Sequence, residues 1–132
     1  MNVYKDKFAL VTGASTGIGY AIAKELANRG ANLIISATAR SEDKLQELSK
    51  EIKELGSDCH IFLEDLSKRD SGRSLYDQIK LKNLHVDLLV NNAGYGRWGT
   101  YHEVDMDDYA DMIQLNITSL SELSHLFIPD LS

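Results

Sequence analysis

Apolar residues along this chain come in two kinds of run, and the two alternate. Lys7 to Thr12, Ala31 to Ile35, His60 to Leu63 and Val86 to Val90 are short and nearly unbroken. Runs of that length without in-and-out alternation predict strands buried on both faces, as in a parallel sheet between helices. Between them, apolar residues recur at helical spacing. The first such set is Ile18, Ala21, Ile22 and Leu26; the second is Leu45, Leu48, Ile52 and Leu55; the third is Leu75, Ile79 and Leu84. A last, more apolar stretch, Met106 to Phe127, predicts a long closing helix.

The punctuation agrees with the pattern. Asn28-Arg29-Gly30 stops the first helix, and Gly56 stops the second. Ser41 is placed to cap the second helix, with Glu42 and Asp43 suiting its dipole. Gly72 interrupts the third helix early. The order is β-α-β-α-β-α-β-α, which predicts an α/β fold: a parallel sheet with right-handed crossovers and helices on both faces. At 132 residues the chain makes one domain at most.

Composition narrows the partners. The chain carries 14 Lys and Arg against 20 Asp and Glu, a net charge of −6. That balance argues against nucleic acid or an anionic membrane as a partner. The single cysteine, Cys59, rules out an internal disulfide. MNVYKDKF has charges where a signal peptide needs an apolar core, so a cytoplasmic protein is expected. His60, His85, His102 and His125 are too scattered to suggest a metal site.

Chemistry gathers where the strands end. Thr12 to Gly19 reads TGASTGIG, with Gly13, Gly17 and Gly19 between a strand and a helix. Such a turn aims N–H groups and the positive helix end at one point, a site for phosphate. Many glycine clusters are only turns, and this one is not the G-x-G-x-x-G fingerprint. Its context raises it: the other strands end in Thr38 to Arg40, Asp65-Leu66 and Asn91 to Gly94, all on one edge of one sheet. The second strand leads into Ser36-Ala37-Thr38-Ala39-Arg40, with no acid before Glu42. An acid there would accept from a ribose 2′-hydroxyl. Arg40 instead suits a 2′-phosphate, unless it is simply solvated at the start of a helix.

TGASTGIG, NNAG at Asn91 to Gly94, Asp65-Leu66 and the asparagine of Gln114-Leu115-Asn116-Ile117 together resemble the short-chain dehydrogenase/reductase family along the whole chain. The resemblance implies a Rossmann-type, doubly wound parallel sheet, truncated after four strands in the order 3-2-1-4, and a nicotinamide dinucleotide cofactor; Arg40 then favours NADP, NAD being less expected. Gly13, Ser15, Thr16, Gly17, Ile18 and Gly19 would wrap pyrophosphate and ribose. Asp65 and Leu66 would hold the adenine. Asn92, Ala93 and Gly94 would line the cleft, Asn91 would fix the strand, and Asn116 would hold a water on the proton relay. The family's stretch before the Ser-Glu-Asp-Lys helix start is usually shorter, so Arg40 departs from its usual spacing.

The family's reaction also uses a serine and a Tyr-x-x-x-Lys pair beyond the strand that would follow Asn116. This sequence ends at Ser132, before that strand. Tyr20/Lys24 and Tyr76/Lys80 share the spacing but fall on early crossover helices, where such pairs are ordinary neighbours. Tyr95 to Trp98 is either a substrate-side loop or a turn anchored by its tryptophan. The expectation is therefore the cofactor-binding half of an oxidoreductase acting on a small carbonyl or alcohol substrate. It is incomplete at its C-terminus and inactive alone; the alternatives are a non-catalytic dinucleotide-binding module or a remnant. An unpaired fourth strand and an apolar last helix predict homo-oligomers through one or the other.

Overall fold

The computed structural model describes residues 4–15, 17–92 and 126–128. Eight elements run in the order β1 (Phe8–Thr12), α1 (Gly17–Asn28), β2 (Asn32–Ala37), a 3-10 turn (Ala39–Ser41), α2 (Glu42–Glu54), β3 (Cys59–Leu63), α3 (Ser71–Leu81) and β4 (Leu88–Val90). All strand pairings are parallel and the sheet order is β3-β2-β1-β4, the order the family resemblance implies. The long helix and the Tyr95 to Gly99 loop lie outside the described residues, apart from helical positions 126 and 127.

Strand side chains alternate between two cores, because successive residues point to opposite faces of a sheet. Ala9, Val11, Leu33, Ile35 and Cys59 pack with Ala23 and Ala27 of α1 and with Leu45, Leu48 and Ile52 of α2. Leu10, Ile34 and Phe62 pack on the other face with Leu75 and Ile79 of α3, Leu66, Val86 and Phe127. β1 lies in the middle and is buried from Ala9 to Thr12. Its register places Phe8 opposite Asn32 and Thr12 opposite Ser36 on one side, and Ala9 opposite Leu88 on the other. Asp87 clamps the start of β1. Its N–H donates to the Phe8 carbonyl at 2.8 Å, and its Oδ2 accepts the Phe8 N–H at 3.0 Å.

The first helix turns differently from the expectation. Its buried line is Gly19, Ala23 and Ala27, not Ile18, Ala21, Ile22 and Leu26. Ile18 is 70% exposed; Ile22 and Leu26 are half-buried. Both lines have helical spacing, so periodicity alone cannot choose. Small side chains win because they let the helix backbone sit close on the sheet, where larger ones would hold it off. On α2, Leu45, Leu48 and Ile52 are buried as expected, but Ser49 joins them and Leu55 is 46% exposed at the helix end. Ser41 ends the 3-10 turn and makes no side-chain capping bond. Gly72 does not interrupt α3; it is buried within the first turn, after Ser71.

A volume-adding change should therefore be felt at Ala23 and not at Ile18. Ala23→Leu is expected to lower unfolding free energy by about 1–3 kcal/mol, and Ile18→Ser to change it by under ~0.5 kcal/mol. Urea denaturation checks both. The reverse ranking would mean the helix is rotated about its axis.

Candidate functional site at the carboxyl edge of the sheet

After Thr12 the chain must reverse and enter α1 within four residues. Gly13 and Gly17 take φ of 64° and 61°, the left-handed region open to glycine at little cost. The reversal brings the first turn of α1 back over the end of β1. A β-carbon at residue 19 would overlap the Gly13 carbonyl oxygen and lie 2.5 Å from Asn92 Nδ2. Only glycine permits that approach. Ala14 N–H donates to the Ser36 carbonyl at 3.2 Å, tying the same turn to β2.

β4 is tied in by two residues. Asn92 N–H donates to Thr12 Oγ1 at 3.0 Å, and Asn92 Nδ2 donates to the Gly13 carbonyl at 3.2 Å. Thr12 Oγ1 in turn donates to the Val90 carbonyl at 3.5 Å. Sequence reading gave the strand-fixing task to Asn91 and the cleft to Asn92; here Asn92 joins β4 to the glycine turn. Thr12 was not singled out, although it is 1% exposed and its hydroxyl links β1 to β4. A buried hydroxyl at a strand end needs a partner, and that was the available signal.

The opening turn of a helix leaves N–H groups that no earlier carbonyl can take. In α1 no acidic residue sits in that turn, whereas α2 places Glu42 and Asp43 in its own. A helix start of this kind can accept an outside anion. Ile18 stands exposed beside it, and there is open space at the β-carbon position of Gly17. Ser15 is half-buried in the same turn. Among the described residues, Ser36 Oγ, at the end of β2, is buried without a hydrogen-bond partner. These features fit a dinucleotide laid across the edge with its phosphates at α1.

The neighbouring part of the edge is built from the ends of β2 and β3. Arg40 is exposed within the 3-10 turn that follows β2. Glu64 N–H donates to the Ala37 carbonyl at 3.0 Å, which brings Asp65 up beside the β2 exit. Asp65 Oδ1 accepts the Ser67 N–H at 3.0 Å and the Ser67 hydroxyl at 2.6 Å. Burial alone would raise the Asp65 carboxyl. The two Ser67 bonds and the charges of Lys68 and Arg40 outweigh it and hold the group below its ordinary value. Leu66 is 5% exposed and its side chain belongs to the α3-side core, so what it presents at the edge is backbone. Gly13, Ser15, Gly17, Ile18, Gly19, Arg40, Asp65, Leu66 and Asn92 are therefore brought to one edge. Thr16, Ala93, Gly94 and Asn116 lie outside the described residues.

The two tyrosine–lysine pairs are engaged elsewhere. Tyr20 OH donates to Glu51 of α2, and Lys24 Nζ lies 3.7 Å from the same carboxylate. Lys80 Nζ sits 5.8 Å from the centre of the Tyr76 ring, which meets Phe127 edge-on with centroids 4.9 Å apart. Burial, the Glu51 hydrogen bond and the Glu51 and Glu47 charges push the Tyr20 phenol up to about 12, the wrong direction for a proton-transferring tyrosine at neutral pH. Among the described residues no cluster of three His, Cys, Asp or Glu could hold a metal, and no helix is long and apolar enough to cross a membrane.

An unfolded tyrosine ionises near 10.0, so the folded preference for neutral Tyr20 stabilises fully below that pH and is lost toward about 12. Tyr20→Phe is expected to show a shallower fall of Tm across that window than the unaltered chain. Equal slopes would assign the alkaline loss to other groups.

Comparison with known proteins accords with this arrangement. The profile described as "short chain dehydrogenase" matches residues 7–132. The human protein named "Inactive hydroxysteroid dehydrogenase-like protein 1" is 38% identical over 128 residues, covering 93% of this chain and 37% of that protein. A Burkholderia cenocepacia short chain dehydrogenase solved in complex with NADP superposes with a TM-score of 0.89 at 32% identity, covering 98% of this chain and 52% of that one. A blue fluorescent protein from a metagenomic library, solved with NADPH, gives 0.89 at 30% identity, covering 99% and 53%. The chain spans less than half the length of the curated relatives it matches. Strand order, glycine turn and profile agree: the chain belongs to the short chain dehydrogenase family.

Proposed function

We propose that these residues form the NADP-holding part of an oxidoreductase. Its reaction is hydride transfer between the nicotinamide ring and a carbonyl or alcohol carbon of a small substrate. The observation that carries this is the glycine turn: an acid-free helix start, held by Asn92 and Thr12 against the ends of the other strands. In this reading Gly13, Ser15, Thr16, Gly17, Ile18 and Gly19 hold pyrophosphate and ribose, and Arg40 meets the 2′-phosphate. Asp65 and Leu66 border the adenine, Asn92, Ala93 and Gly94 line the cleft, and Asn116 holds a relay water. NADP in the Burkholderia structure supports the choice of cofactor.

A second reading is dinucleotide binding without chemistry. The engagement of Tyr20 with Glu51 and of Tyr76 with Lys80 and Phe127 favours it for these 132 residues taken alone, as does the word "inactive" in the human relative's name. Titration of the chain with NADPH and NADH, read by melting shift, tests the shared part. NADPH is expected to bind more tightly. Arg40→Gln should weaken NADPH about tenfold or more, as expected for a lost charge-assisted pair, with little effect on NADH. The 132 residues alone are expected not to oxidise NADPH with a panel of ketones. Absence of NADPH binding would sink both readings, and turnover would sink the second.

We further infer that copies of this chain associate through β4. β4 ends the described sheet, and Leu88, Leu89 and Val90 are each only half-buried. A strand whose outer edge has no partner among the described residues can recruit another strand. Phe127 is fully buried against its own chain, which favours the strand over exchange of the last helix. Light scattering at micromolar concentration should give a dimer mass or larger. A clean monomer overturns this.

A further inference from the structure

The segment that carries Asp65 is held by its neighbour. Glu64 follows β3 directly, and its side chain turns to α3. Glu64 Oε2 accepts from Ser74 Oγ at 2.9 Å and from Gln78 Nε2 at 2.7 Å; Gln78 Nε2 also reaches Ser74 Oγ at 3.3 Å. Ser74 and Gln78 stand one turn apart on α3, and all three side chains are half-buried. Bonds to an ionised carboxylate are the stronger kind, and partial burial limits their screening. The apolar contacts that dock α3, through Leu75 and Ile79, lie beside this knot and do not depend on it.

Each residue of the segment is thereby fixed by a different partner. Glu64 is bound to α3, Asp65 Oδ1 takes both donors of Ser67, and Leu66 is buried in the core. Oδ1 is committed, which leaves Asp65 Oδ2 as the oxygen able to accept from a ligand. The direction of that oxygen follows from the path of the backbone between β3 and Ser67. Without the knot, the segment's first residue would be held by its backbone bond to Ala37 alone.

We propose that Glu64, gripped by Ser74 and Gln78, is a positioning residue that aims the Asp65 carboxylate at the adenosine half of the dinucleotide. The proposal rests on the cofactor reading above. It makes α3, which contributes no residue to the edge itself, part of what sets cofactor affinity.

The test uses the full chain and the variants Glu64→Ala, Gln78→Leu and Glu64→Gln. NADPH and adenosine 2′,5′-bisphosphate are the probes, and amide hydrogen exchange is followed at Ser67 and Leu10. Glu64→Ala and Gln78→Leu should weaken both ligands about tenfold and speed Ser67 exchange by a similar factor, leaving Leu10 unchanged. Glu64→Gln keeps an acceptor oxygen and should restore binding to within about twofold. Unchanged Ser67 exchange, or unchanged NADPH affinity in folded Glu64→Ala, overturns the proposal. So does equal loss of protection at Ser67 and Leu10 in both disruptive variants, which makes the knot a general structural contact. Failure of the unaltered chain to bind NADPH rejects the cofactor reading and this proposal with it. Binding that is indifferent to Glu64 rejects the proposal alone.

Discussion

There is no room for a β-carbon at residue 19, and much of the site depends on that. The missing side chain lets α1 begin directly over the Gly13 carbonyl, and Asn92 Nδ2 then reaches the same oxygen. Gly19, Ala23 and Ala27 continue the close approach along the helix. The helix start is thereby held at the carboxyl edge of β1, where the turn before it is tied to β2 through Ala14 and to β4 through Asn92. A larger residue at any of these positions would lift the helix and separate its first N–H groups from the rest of the edge. Close packing here is a positional device as well as a source of stability.

The charges follow the same division. Acidic side chains are absent from the start of α1, where an anion belongs, and are engaged elsewhere. Glu51 ties α2 to α1 through Tyr20 and Lys24. Asp87 clamps β1 to β4 at the opposite end of the sheet, with His85 Nε2 3.2 Å from its Oδ1. Asp65 remains at the site, satisfied on one oxygen by Ser67 and favoured in its charged form. Cys59, by contrast, is buried, and burial pushes its thiol up, so it acts as a small apolar residue of the α2-side core.

Much of this was legible in the order of residues. Unbroken apolar runs and helical spacing between them are local, additive signals, and they specified the alternating elements; the strand order 3-2-1-4 came with the family resemblance. Parallel strands put their carboxyl ends on one edge, so the positions of Gly13, Arg40, Asp65 and Asn92 on that edge followed from the element order alone. What only the tertiary structure decided was which side of an ambiguous helix faces the sheet and which polar atoms meet. Ile18 and Ala23 have the same periodicity, and only the distance between helix and sheet favours the smaller residue. Thr12 with Asn92 and Glu64 with Gln78 are separated by 80 and 14 residues, and no local pattern couples them. Such pairs depend on angstrom-scale placement of already folded elements. Apolar periodicity specifies that an element must be buried; it carries no information about which hydrogen-bonding atom will stand within 3 Å of another once it is.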